Sequence, residues 1–308
     1  AGGNGLLNVN EGVCCRRPKK GTFVADAVTA LNSSPQRNIV GLFNFDPHSN
    51  QEHGTYKDRV FEGMSTEARK CNTDLIFISG DPEITLRQYA SVPGLTPRGM
   101  LVFSNNYSEI LSLAKTFPHM RFVVVNFYHE GFEDTPENIY GVFNDDFGGS
   151  YAAADRFIAE GAQHIGYLNI RLLDDNYKLR ERGAEAATSD GNIRFSSFEV
   201  PFGKKTKQIK TAYEVAPELL RQAPDMDVLM AANDNLAIGF SMYLEEHKPG
   251  HNIRICGYDW TSDELPQINK INSIAINFHR MGEKAIDMIT GKTPRTKMIN
   301  LFPKLIIK

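Results

Sequence analysis

Residues 228–260 read VLMAANDNLAIGFSMYLEEHKPGHNIRICGYDW, and the pattern of this stretch decides the fold. Val228–Ala231 is an apolar run of strand length. Ala232, Asn233, Asp234 and Asn235 form a polar turn that can also cap a helix. From Leu236 the pattern becomes helical, with Ile238, Phe240, Met242 and Leu244 among polar residues. Residues 253–255 read as a second strand, followed by Gly257, Tyr258 and Asp259. A strand–helix–strand unit of this kind places the polar residues after each strand at the carboxyl edge of a parallel sheet, where open α/β folds bind ligands. Asn233, Asp234 and Asp259 are therefore candidate ligand contacts. Simple capping would account for Asn233 and Asp234 equally well.

The same alternation extends in both directions. Strands are expected at 39–43, 75–79, 99–103, 122–127 and 139–143. Helices are expected at 54–71, from 82 to about 89, at 107–117 and from about 147 to 160. In the helix at 54–71, Tyr56, Val60, Phe61, Met64, Ala68 and Cys71 recur at spacings of three and four. A second series has strands at 164–168, 194–200, 274–276 and 305–307, and helices at 176–187, 211–222 and 281–289. Short apolar strands alternating with helices predict an α/β fold. Two such series predict two doubly wound parallel-sheet lobes with a ligand cleft between them. The lobes are expected to comprise 38–144 plus 277–293, and 145–276 plus 294–308.

The N-terminal region is different. Residues 11–25 read EGVCCRRPKKGTFVA, with two β-prone runs flanking Arg16, Arg17, Lys19, Lys20 and Gly21. This predicts a hairpin with a basic tip suited to phosphate or groove contact. Residues 26–37 read as a linker.

Bulk composition narrows the class. The 308 residues carry 41% hydrophobic and 23% charged side chains, as ordinary globular chains do. Net charge is −3, so any nucleic-acid contact must be local. The four cysteines make no CxxC pair, and the eight histidines show no metal spacing, so neither cofactor nor metal is expected. Cys71 and Cys256 read as buried thiols, which points to a reducing, cytoplasmic compartment. No run is apolar enough to span a bilayer. There is no GxSxG elbow and no HExxH, and the carboxylate pairs Asp145-Asp146 and Asp174-Asp175 precede helices, where capping explains them. No enzyme is expected. Arg180, near the start of a helix, can hold two hydroxyls or a carboxylate in its fork, and Phe202 can stack on a sugar face.

The alternation from Asn38 to Lys308 resembles the effector-binding domain of the lactose-repressor family, a regulatory version of the type I periplasmic sugar-binding fold. The resemblance rests on AANDNLAIG at 231–239, ICGYDW at 255–260, NDDFGGSYAAADRFIAEGAQHIGYL at 144–168, RGMLVFS at 98–104 and INSIAINFHRMGEKAIDMITG at 271–291. The hairpin resembles the closing segment of a gluconate-repressor-type winged helix, and the combination resembles the layout of arabinose-repressor-like regulators. The chain then looks like a regulator truncated at the wing, with weak or no specific operator binding of its own.

The resemblance implies effector contacts at Asp46, Tyr56, Lys57 and Val60, at Asn126, at Asn176 and Arg180, at Phe202, at Asn233 and Asp259, and at Phe278. It assigns Asn233 to effector and leaves Asp234 to cap and order the turn. Asn126 stands where the family often has an acid, Ile276 where it often has Gln, and Trp260 where a second acid is common. The wing residues Arg16, Arg17, Lys19, Lys20 and Gly21 would meet DNA. The expected function is a sugar-responsive transcriptional regulator, a repressor acting as a homodimer, with a small sugar effector and operator DNA as partners and no membrane. The alternative is a periplasmic sugar-binding protein of a transport system.

Overall fold

The computed structural model describes residues 14–17, 21–24, 37–44, 56–92, 95–171, 175–201, 205–261, 265–293 and 296–308. Strands β1 (Cys14–Arg17) and β2 (Gly21–Val24) pair antiparallel, with Arg17 opposite Gly21, so the expected hairpin forms. Its tip at Lys19 and Lys20 lies outside the described residues, as do Asp46 and Phe202.

Two six-stranded sheets follow. The first contains β3 (Arg37–Phe43), β4 (Thr73–Ile78), β5 (Leu95–Val102), β6 (Arg121–Val125), β7 (Ile139–Asn144) and β13 (Met298–Leu301), in the order β13-β7-β6-β5-β3-β4. The second contains β8 (His164–Arg171), β9 (Arg194–Pro201), β10 (Val228–Ala231), β11 (Arg254–Asp259), β12 (Asn272–Ala275) and β14 (Lys304–Ile306), in the order β14-β12-β11-β10-β8-β9. Every pairing within the two sheets is parallel except β12 with β14. The expectation put 294–308 wholly in the second lobe. Instead, β13 pairs with β7 in the first, and only β14 returns to the second.

Both faces of the first sheet are buried. Met100, Val102, Phe122 and Val124 point into one cluster, and Leu101, Phe103, Val123 and Val125 into another. This period of two, with apolar residues on each side, requires helices on both faces. They are α1 (Tyr56–Lys70), α2 (Pro82–Ala90), α3 (Tyr107–Thr116) and α8 (Phe278–Thr290). The second sheet carries α4 (Asp146–Ala159), α5 (Asp175–Asp190), α6 (Lys205–Gln222) and α7 (Asp234–His247). Helix α6 begins six residues earlier than the expected 211, in the polar stretch KTKQIK. In α7, Ile238, Phe240 and Leu244 are buried but Met242 is 37% exposed. Residues two apart on a helix lie on nearly opposite sides, so 238, 240, 242 and 244 cannot share a face.

Helices α1 and α8 approach to backbone contact. A Cβ on Gly63 would lie 1.9 Å from the His279 carbonyl oxygen, and one on Gly282 would lie 2.1 Å from that of Val60.

Three chain crossings join the lobes, between Asn144 and Asp146, Ala275 and Phe278, and Leu301 and Lys304. The first two leave the carboxyl ends of β7 and β12 and pass directly into a helix of the other lobe. The carboxyl edges of the two sheets therefore face one another. Positive φ collects at these edges. Among the described residues, six other than glycine have positive φ, and four of them end strands: Asn44, Asn126, Asp259 and Trp260. No helix among the described residues is long and apolar enough to cross a membrane.

Candidate functional site

The site is built around Arg180. The buried α5 residues Asn176 and Arg180, one turn apart at i and i+4, place both side chains on the inward face. Arg180 is 4% exposed. Its Nε donates to Asp146 Oδ1 at 2.7 Å and its Nη1 to the Ala232 carbonyl at 2.7 Å. Nη1 also lies 2.9 Å from Asp259 Oδ1. The guanidinium carbon stands 3.9 Å from the centre of the Tyr258 ring. Burial works against the Arg180 charge, but the Asp259 and Asp146 carboxylates hold its pKa above the usual guanidinium range.

Asp146 is the hub of this network. Besides Arg180, it accepts from Asn144 Nδ2 at 2.9 Å and from Asn176 Nδ2 at 2.6 Å. Asn144 Nδ2 also donates to the Tyr258 hydroxyl at 3.0 Å, which ties the first lobe's last long strand to β11. Burial, and then the Asp146 charge, raises the Tyr258 pKa well above its ordinary value. One guanidinium is thus held by two carboxylates at the strand ends, leaving a net negative trio (+1 against −2) among polar donors.

Capping explains only one member of the Asp145-Asp146 pair, and the role of Asp146 in the network is not the one the sequence pattern predicts. Asp145 alone does the capping, accepting from Gly148 N at 2.8 Å. The available signal was the redundancy itself, since one cap needs one carboxylate and leaves its neighbour for another task.

The structure corrects the capping role expected of Asp234 and gives it to Asn233. Asn233, at the end of β10, is the N-cap of α7: its Oδ1 accepts from Leu236 N at 3.1 Å, and its Nδ2 donates to Gln208 Oε1 at 3.0 Å. Asp234 does not cap. It turns inward beneath β11, accepting from Ser273 Oγ at 2.6 Å and from Thr261 N at 3.2 Å. Burial pushes its carboxyl up to about 8, with Ser273 opposing and Asp259 adding to the shift. Gly257 makes room for it, because a Cβ there would lie 2.4 Å from Asp234 Oδ1.

On the first lobe, the Tyr56 ring lies 5.4 Å from that of Phe278. Val60 and Phe278 are buried in the α1–α8 seam, while Lys57 is half-buried beside them in the chain. Asn126 ends β6 with φ 67°, and its side-chain oxygen is buried with no hydrogen-bond partner among the described residues. Trp260 does not replace the family's acid within the network. Its ring packs on the core with Lys308 Nζ 5.1 Å from the ring centre, and its carbonyl accepts from Arg59 Nη1 at 2.7 Å. Ile276 is buried. Among the described residues, no group of three or more His, Cys, Asp or Glu is placed to hold a metal ion.

Residues 154–308 match the sequence model of the periplasmic binding protein-like domain, and the chain belongs to that family. A curated relative, the HTH-type transcriptional regulator GntR of Escherichia coli K12, is 27% identical over 167 residues. That alignment covers 51% of this chain and 48% of the relative, so the chain spans about half the length of the curated relatives it matches. Among solved structures, a LacI family transcriptional regulator from Enterococcus faecium with bound ribose is similar, with 20% identity and a TM-score of 0.64. It covers 87% of this chain and 96% of its own. GanP, a glucose-galactose binding protein from Geobacillus stearothermophilus, has 18% identity and a TM-score of 0.65, over 88% and 97% of the two chains. At these identities the structural likenesses establish the fold: two facing α/β lobes.

Proposed function

We propose that this chain is the effector-binding part of a sugar-responsive transcriptional regulator, a repressor, that holds a small carbohydrate between its two lobes. The observation that carries the reading is the Arg180–Asp146–Asp259 network at the facing strand ends. A hydroxyl both donates and accepts, and a guanidinium beside a carboxylate offers the two complementary partners side by side. Asn126 supports it too, because its buried side-chain oxygen calls for a donor such as a sugar hydroxyl. The curated relative is a transcriptional regulator, and the basic β1–β2 hairpin suits contact with DNA phosphates.

The mechanism would be linkage. Effector favours one lobe arrangement, which changes the geometry of a homodimer and so the spacing of its DNA-binding heads. No chemistry is needed. The test is a thermal-shift panel of pentoses, hexoses, deoxysugars and uronic acids, followed by calorimetry, since a ligand that binds only the folded state raises its melting temperature. A sugar hit whose affinity collapses in Arg180→Lys and Asp259→Asn is expected. A panel without any hit would remove the sugar reading. The likeness to GanP favours one second reading, a sugar-binding protein of a transport system. A DNA-mobility assay on the gene's full product separates the two: sugar-sensitive binding to its own upstream region belongs only to a regulator.

A further inference from the structure

The turn that follows β11 is held in an unfavourable backbone conformation by a bond from the opposite lobe. Asp259 has φ 95° and Trp260 φ 57°. Two successive residues with side chains in this region are strained unless the surroundings enforce it, and neither is a glycine. Four partners among the described residues do the enforcing. The Asp259 carbonyl accepts from Ile276 N at 3.3 Å. The Asp259 carboxylate lies against Arg180 Nη1. Thr261 N and Trp260 N are both held by the Asp234 carboxylate. The fourth is the Arg59 guanidinium, which donates to the Trp260 carbonyl at 2.7 Å across 201 positions of sequence. Three of these partners belong to the second lobe. Arg59 alone among them comes from the first, from the opening turn of α1.

We infer that Arg59 is a positioning residue that couples lobe closure to the site. When the lobes meet, its guanidinium takes the Trp260 carbonyl and holds the Asp259–Trp260 turn in the left-handed conformation that aims the Asp259 carboxylate at Arg180. When they part, that bond is lost, the turn loses its restraint from the first lobe, and Asp259 is freer to leave the guanidinium. An effector bound to Asp259 and Arg180 and the closed lobe arrangement then stabilise each other through one side chain. A backbone carbonyl as acceptor suits this role, because the signal depends on the conformation of residue 260 rather than on its side chain.

The chain contains one tryptophan, and it is Trp260. Its fluorescence in the full chain, read by acrylamide quenching without any effector, reports on this turn. Replacing Arg59 with methionine keeps the aliphatic stem, and replacing it with lysine keeps a charge. Arg59→Met should raise the quenching constant severalfold, and Arg59→Lys should fall between it and the native protein. Unchanged quenching in Arg59→Met would overturn the inference.

A second measurement guards against a general loss of structure. In Trp260→Gly the turn needs no enforcement at residue 260. The drop in melting temperature caused by Arg59→Met should therefore be smaller in that background, whereas equal drops in both backgrounds would overturn the coupling. The final arm rests on the sugar reading. Titrated with D-ribose, or with the best binder of the panel, Arg59→Met should bind roughly tenfold more weakly, the scale of one charge-assisted hydrogen bond. Failure of every sugar to bind the native protein would sink the sugar reading and leave the quenching result standing by itself. Native affinity retained in Arg59→Met would sink the coupling and spare the sugar reading.

Discussion

Replacing Arg180 with alanine should destabilise the protein before any ligand is considered. The side chain is 5% exposed and neutralises an Asp146 carboxylate that has no exposed surface at all. Removing one partner of such a buried pair typically costs about 3–5 kcal/mol, because the other charge is left uncompensated. Two features place the expected loss near the lower end. Asp146 keeps Asn144 and Asn176 as donors, and the Asp259 side chain is 19% exposed and can recover hydration. In a chain of 308 residues the loss corresponds to a fall in melting temperature of roughly 4–6 °C. Differential scanning calorimetry of the effector-free protein measures it. Arg180→Lys should lose about half as much, since a point charge can reach one carboxylate but not hold both in a fork. Arg180→Met combined with Asp146→Asn should recover part of the loss by removing the orphaned charge. An Arg180→Ala protein melting within about 2 °C of the native one would refute the reasoning, because the carboxylates would then not depend on the guanidinium.

Asp234, raised to about 8, gives a second prediction. Between its ordinary value near 3.8 and about 8, the folded protein keeps a proton that the unfolded chain has released. The associated stability is complete below about 4 and declines by about 1.4 kcal/mol per pH unit as pH rises towards 8. Urea melts from pH 5 to 8 should show this decline flattened by one proton in Asp234→Asn, and an identical slope in both proteins would count against the buried acid. Gly63→Ala and Gly282→Ala should each force α1 from α8, since the added carbons would lie 1.9 and 2.1 Å from carbonyl oxygens. A loss of about 1–3 kcal/mol or more is expected in chemical denaturation. Asn233→Ala should cost about 1 kcal/mol through the lost cap, and Asn233→Ser should restore most of it if capping is the side chain's structural task.

The alternation of strand and helix was legible because its cause is local. Strands buried on both faces, such as the VLMA of β10, must be apolar throughout, and turn residues must separate them from helices. Strand β13 was not legible for the same reason. MINL is four residues long and mostly half-buried at the edge of its sheet, so no pattern distinguishes it from the loop around it. At the site, residue types were legible but their division of labour was not. Asn233 and Asp234 are adjacent polar residues at a helix start, and both can cap. Which one turns inward depends on Ser273 and on the space at Gly257, neither of which is near them in the chain. Asp145 and Asp146 pose the same choice, settled by Arg180, 34 positions further on.

That dependence also bears on how mutational loss at the site should be read. Arg180, Asp146, Asp259, Asn144, Asn176 and Tyr258 form one connected network, so removing any member disturbs the others. A loss of sugar binding in one variant therefore does not by itself assign a direct contact. Asn126 offers a cleaner probe, because its side-chain oxygen is buried without a partner among the described residues and no bond of the network passes through it. If that oxygen accepts from a bound hydroxyl, Asn126→Gly, which tolerates the φ of 67° at this position, should weaken binding by roughly tenfold, the scale of one hydrogen bond. It should also leave the effector-free melting temperature unchanged or higher, since it deletes an unsatisfied polar group. Weaker binding together with lower stability would instead make Asn126 a structural residue of the strand end, where φ 67° already suits asparagine.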